Sequence, residues 1–182
     1  IMGPPGVGKG TQAKIIKDKL RIAHISTGEL LRREIAEKTE VGLVAKEYID
    51  QGKLVPDNFL FTIVNERLGK PDCKNGYILD GFPRTLNQAN GLEKIMSSFD
   101  HSLNRAISLY ADEDALVERL VKRGENSGRS DDTSNIIRNR QKIYWQQTAP
   151  LLDFYEERGL LDNVNGLGEI KEITERILTV MK

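Results

Sequence analysis

Apolar positions recur along the chain with two alternating periods, one suited to helices and one to short buried strands. Ala13, Ile16 and Leu20 fall on one face of a helix over Gly8–Leu20, and Ile22–Ile25 is a brief apolar strand. Ser26 and Glu29 have capping-box spacing, which predicts that a helix opens there. Two further helical stretches run from about Val41 to Gln51 and from Asp57 to Leu68, with Pro56 placed where its missing N–H costs nothing. Tyr77–Asp80, Arg105–Tyr110 and Leu160–Val164 read as strands. Asp112 is the expected cap of a helix over Ala115–Arg123, and Asp132 of a long one reaching Gln147. Pro150 marks a fresh helical start, and Glu169–Met181 is the last helix. Short apolar strands separated by helices predict an α/β chain in three layers, α/β/α, around a central parallel sheet.

Composition narrows the function classes. The 182 residues carry 27 Lys and Arg against 27 Asp and Glu, a formal net charge of zero. That excludes a protein whose affinity comes from a global basic field, so no nucleic-acid partner is expected. The single Cys, Cys73, excludes an intrachain disulfide framework and points to a reducing, cytoplasmic setting. No run approaches 18 apolar residues and no stretch reads as a signal peptide, so no membrane partner is expected.

The candidate chemistry begins at Gly3. GPPGVGKGT, Gly3–Thr11, satisfies the G-x-x-x-x-G-K core of a phosphate-binding P-loop, with Gly10 intervening before the hydroxyl of Thr11. Gly6, Val7, Gly8, Lys9, Gly10 and Thr11 are the residues expected around the phosphates of ATP. Glycines let successive N–H groups converge on an anion, and the following helix adds its positive end. Lys9 adds a compact charge, while Thr11 and Asp80, at the end of a strand, are placed to face Mg²⁺, Asp80 through water. Such a loop normally follows a buried strand. Only Ile1 and Met2 precede it, so a few N-terminal residues are expected to be missing.

Further motifs follow: STGELLR at Ser26–Arg32, GKLV at Gly52–Val55, LDGFPRTLNQ at Leu79–Gln88, RLVKR at Arg119–Arg123 and SGRSDD at Ser127–Asp132. With these the sequence resembles, end to end, the adenylate kinases of the short-lid type, members of the P-loop NTPase fold. The resemblance implies Mg-dependent transfer of the ATP γ-phosphoryl group to AMP, giving two ADP. It implies that Thr27 faces the AMP adenine, that Arg32 meets the α-phosphate, and that Lys53, Leu54 and Val55 form the pocket rim. Gly81, Phe82, Pro83 and Arg84 are expected beside the AMP phosphate, and Gln88 at the Watson–Crick edge of adenine. A Gln amide offers the donor and acceptor that edge requires. Arg119 is expected on the ATP base, Arg123 on the triphosphate, Arg129 and Arg140 over both nucleotides, and Gly168 against the ATP adenine through backbone. Lys9, Arg84, Arg123, Arg129 and Arg140 are thereby the expected catalytic set, with Asp131 and Asp132 orienting the arginines. The resemblance further implies a monomer of one domain, 1–182, with an AMP-binding insertion at 27–55 and a short lid at 124–133. The single Cys excludes a long zinc-stapled lid, so Mg²⁺ and not zinc is the expected ion.

The residues support a polyanion site on their own. Segment 119–142 holds seven Lys and Arg against three acids in an otherwise neutral chain. For Arg138 and Lys142 a solvated helix face is the lesser, competing reading. Transfer to a phosphate needs no base, since a phosphate monoester has a second pKa of about 6 and is already ionised near neutrality. The residue set answers the remaining problem, the repulsion between two polyanions. His24, His101 and Cys73 are read as structural or incidental, and Tyr144, Trp145, Ile136 and Ile137 as packing. The rival readings are a UMP/CMP kinase, a P-loop kinase acting on a metabolite hydroxyl, and a non-catalytic adenine-nucleotide sensor. Thr27 and Gln88 favour AMP over the pyrimidines.

Overall fold

The computed structural model describes residues 1–127 and 129–182. Helices and strands alternate: α1 (Lys9–Leu20), β1 (Ala23–Ser26), α2 (Thr27–Glu37), α3 (Glu40–Ile49), α4 (Asp57–Leu68), β2 (Tyr77–Asp80), α5 (Leu86–Ser97), β3 (Ala106–Tyr110), α6 (Glu113–Ser127), α7 (Ser134–Ile143), α8 (Pro150–Glu156), β4 (Leu161–Asn165) and α9 (Ile170–Val180). β1 pairs in parallel with β2, Ser26 opposite Asp80, and β3 with β4, Leu109 opposite Val164. Ile1 and Met2 lie between the two pairs. The Ile1 nitrogen donates to Leu79 O, and Met2 exchanges bonds with Ile107 and Leu109.

Alternation along the strands builds the layers. Ile107 and Leu109 of β3 face Ala13 and Ile16 of α1, Leu116 of α6 and Ile177 of α9. Ala106 faces the other way, onto Ala89 of α5 and Leu151 and Tyr155 of α8. β2 divides likewise, with Ile78 in the first cluster and Leu79 in a third beside Leu31, Val64 and Leu92.

Three sequence expectations are corrected. α5 was not among the predicted elements; Thr85 caps it, its hydroxyl accepting from Gln88 N at 3.1 Å, and Ala89, Leu92 and Met96 form its buried stripe. The helix expected from Asp132 to Gln147 is interrupted. Its cap position is Thr133, because the Asp132 carboxylate is taken by two arginines, and a π-helical turn over Tyr144–Thr148 separates α7 from α8. Tyr144 packs as expected, but Trp145 stands 55 % exposed, turned outward on the same turn.

α2 and α3 form a tight pair. Thr39 caps α3 through Gly42 N and donates to the Glu34 carboxylate at 2.7 Å. A Cβ on Gly42 would lie 2.1 Å from Glu34 O, so only glycine admits this approach.

Candidate active site

A cleft of about 540 Å³ opens where β1, β2 and the loop before α1 end. Its floor is the Gly3–Gly8 loop. A Cβ at Gly3 would come within 2.3 Å of Leu109 O, so glycine is what lets the loop lie against β3. No side chain caps α1, which leaves its first-turn N–H groups and the positive end of its dipole facing the cleft. The Lys9 ammonium donates to Gly3 O at 2.7 Å and Pro4 O at 3.0 Å. Burial lowers its pKa to about 7; Asp80 opposes the shift and Arg84, Arg140 and Arg123 add to it.

The arginines converge from four elements. Arg84 follows β2, and its Nε donates to Gly81 O at 2.8 Å, an oxygen that also accepts from the Thr27 hydroxyl at 3.0 Å. Its backbone is held on both sides: its N–H donates to Gln88 Oε1 at 2.7 Å, and its carbonyl accepts from Thr148 Oγ1 at 2.9 Å. The π-helical turn brings Thr148 to that carbonyl. Arg123 of α6 makes two bonds to the Asp132 carboxylate, both at 2.7 Å. Arg140 of α7 reaches Asp132 Oδ1 at 2.7 Å and Asp131 Oδ2 at 2.9 Å. Burial pushes the Asp132 carboxyl up, but Arg123 and Arg140 outweigh it and hold it below the usual range. Burial, then Arg140, lowers the Arg84 pKa; burial, then Arg129, lowers that of Arg32. Crowded, partly desolvated cations of this kind gain most from a polyanion.

Of the expected residues, Gly6, Val7, Gly8, Lys9, Gly10, Thr11, Thr27, Arg32, Lys53, Leu54, Val55, Asp80, Gly81, Arg84, Arg119, Arg123, Arg129, Arg140 and Gly168 line this one cleft. Phe82, Pro83 and Gln88 do not. Phe82 is buried in the core, edge-on to Phe61. Gln88 has no exposed surface; Arg84 N–H occupies its Oε1, and its Nε2 donates to Asp57 at 2.7 Å. Gly128, within the expected lid, lies outside the described residues.

Around Asp80 the donors are hard oxygens, as Mg²⁺ prefers. Asp80 is 9 % exposed, and its Oδ2 would be 3.3 Å from a Cβ on Gly10 at the head of α1, with Thr11 one residue on. His24 Nε2 stands 3.6 Å from that oxygen. Among the described residues no three His, Cys, Asp or Glu side chains cluster as a metal cage. The donors present fit an ion held largely by phosphate and water.

The flanks of the cleft touch above it: Ser130 Oγ donates to Asp50 at 2.7 Å and Asn139 Nδ2 to Gln51 O at 2.6 Å. Sequence reasoning overlooked the cleft residues Gln12, Ile170 and Ile173. The available signal was a polar residue, Gln12, beside Ala13 on the buried face of α1.

The adenylate kinase family model matches residues 1–160. The chain is 50 % identical over 179 residues to an adenylate kinase of Bifidobacterium longum, covering 98 % of this chain and 96 % of the relative. It is 47 % identical over 182 residues to one of Stenotrophomonas maltophilia, covering 100 % and 97 %. An adenylate kinase of Thermobifida fusca is 43 % identical over 182 residues, covering 100 % and 96 %.

Proposed function

The chain belongs to the adenylate kinase family, and on that premise we propose how its cleft moves the γ-phosphoryl group of ATP to AMP, giving two ADP. An oxygen of the AMP phosphate attacks the γ-phosphorus, and the bond to the β–γ bridging oxygen breaks. No proton has to be removed from the acceptor, because the monoester is ionised near neutrality, its second pKa being about 6. Catalysis is therefore positioning and charge neutralisation.

The observation that carries this reading is the convergence of Lys9, Arg84, Arg123, Arg129 and Arg140 on one cleft, between the Gly3–Gly8 loop and the rim at Lys53–Val55. The loop and Lys9 take the β- and γ-phosphates of ATP, and Arg119 and Gly168 its base. Arg32 and Arg84 take the AMP phosphate, while Thr27 and the rim take its base. Gln88 joins base recognition once its amide leaves Arg84 N–H. Mg²⁺, held by Thr11 and by Asp80 through water, would neutralise phosphate charge and orient the oxygens. Segments 27–55 and 124–133 act as two flanks that exclude water, a role supported by the Ser130–Asp50 contact between them.

The lone buried Cys73 suits a cytoplasmic setting. Among the described residues no helix is long and apolar enough to cross a membrane. A coupled assay with ATP plus AMP, CMP, UMP or GMP tests the reading. Turnover is expected with AMP. Nucleotide binding without transfer to any acceptor would overturn the enzymatic reading and leave a sensor.

A further inference from the structure

Gln12 is a polar side chain buried where α1 meets α9, 2 % exposed, and both ends of its amide are used. Nε2 donates to Ile170 O at 3.0 Å, and Oε1 accepts from the Thr174 hydroxyl at 2.7 Å. A carbonyl oxygen can only accept, so the Ile170 contact fixes which end of the amide is which and leaves Oε1 for the hydroxyl. Thr174 is equally buried, and its proton is shared with Ile170 O at 2.9 Å. Fully satisfied buried polar pairs hold elements in one register, because slippage would strand groups away from water.

The two ends of this link carry different parts of the cleft. Gln12 follows Thr11 on the helix that starts with Lys9. On the other side, Ile170 and Ile173 line the cleft next to Gly168, which is assigned above to the donor base, and Ile170 is 53 % exposed. The preceding loop is pinned too: Arg119 donates to Gly166 O at 3.1 Å and Arg176 to Leu167 O at 2.6 Å. The Arg119 bond holds the loop to α6 and the Arg176 bond holds it to α9, whereas the Gln12 amide ties the first turn of α9 to the helix that carries the phosphate grip.

We propose that Gln12 and Thr174 are positioning residues that set the distance between the triphosphate grip and the donor-base wall, and so govern affinity and selectivity for the donor nucleotide. The proposal rests on the ATP side of the cleft being as assigned in the preceding section. A nucleotide held at phosphate and base spans that distance, so a drifting wall weakens the donor. The acceptor, bound against Arg84 and the rim at Lys53–Val55, does not span it.

The test is kinetic and calorimetric. Thr174→Val keeps the volume and removes the hydroxyl; it is expected to raise KM for ATP about tenfold, the scale of one or two buried hydrogen bonds. KM for AMP and kcat at saturating ATP are expected to hold, and the preference for ATP over GTP to fall. Thr174→Ser, which restores the hydroxyl, is expected to return the wild-type values. Gln12→Met added to Thr174→Val is expected to weaken ATP less than the product of the two single effects. A Thr174→Val enzyme with wild-type ATP KM, or with ATP and AMP KM raised equally, would overturn the proposal. Calorimetric ATP binding without acceptor reads the same link. A wild-type chain that binds ATP without transferring it refutes the enzymatic reading alone; unchanged ATP binding in Thr174→Val refutes the link alone.

Discussion

Asp132 holds Arg123 with both carboxylate oxygens, each at 2.7 Å, from a side chain with no exposed surface, and the same carboxylate takes Arg140. One buried acid thus sets two of the cations aimed at the phosphates. Asp132→Asn keeps the shape and removes the charge. It is expected to lower kcat about tenfold or more and to cost about 2 kcal/mol of stability, the scale of hydrogen bonds to charged groups. The stability difference carries a pH signature. The folded carboxyl titrates below its ordinary value of about 3.9, so its contribution is complete above that value and is lost as pH falls through the folded one. Denaturant midpoints of wild type and Asp132→Asn are expected to differ at pH 6 and to approach each other below about pH 4.

Lys9 is expected to take up a proton when ATP binds. Burial favours its neutral amine in the free protein, with a pKa of about 7, and a triphosphate favours the ammonium. At pH 8 the free form is mostly neutral, so an uptake of about half a proton or more per ATP is expected. Calorimetry in buffers of different ionisation enthalpy measures it, with Lys9→Met as the reference in which it vanishes. Lys9→Ala is expected to lose activity by roughly 10²–10³, as for loss of one transition-state donor.

Arg84 is expected to depend on Thr148. Arg84→Ala removes the cation and is expected to cost roughly 10²–10³ in turnover. Thr148→Val only frees the Arg84 carbonyl, and a drop in kcat of about tenfold is expected, with Thr148→Ser near wild type. Steady-state kinetics on the three variants check the ordering.

Gln88→Ala is expected to act twice. It frees Arg84 N–H, which lowers kcat, and it removes the amide proposed for the adenine edge, which lowers the preference for AMP over CMP. Acceptor competition assays separate the two. A variant with lower kcat and unchanged preference would assign Gln88 to Arg84 alone.

The residues whose function follows from local pattern were legible in the chain. Gly3–Thr11 is contiguous, and its geometry needs only a strand before it and a helix after. The Arg-rich segment 119–142 stood out against a neutral background. What escaped depended on partners distant in sequence. Gln88 is expected at the adenine edge, while the bonds its amide makes to Asp57 and to Arg84 N–H have no signal in the local pattern. Gln12 needs Thr174, 162 residues away. α5 is obscured for another reason: its Thr85 cap lies inside the chemistry-bearing run Gly81–Gln88, and its buried stripe at Ala89, Leu92 and Met96 is interleaved with polar residues and Gly91.

The approach at Gly42 bears on how the acceptor side can move. With the α3 backbone seated on the last turn of α2, the two helices have no room to slide or re-angle against each other. Any swing of this arm must be rigid, with rotation at its two junctions, Ser26–Thr27 and Asp50–Pro56 around Gly52. Gly42 therefore acts as a weld: rotation at those junctions carries α3 and Arg32, which rides on α2, as one piece.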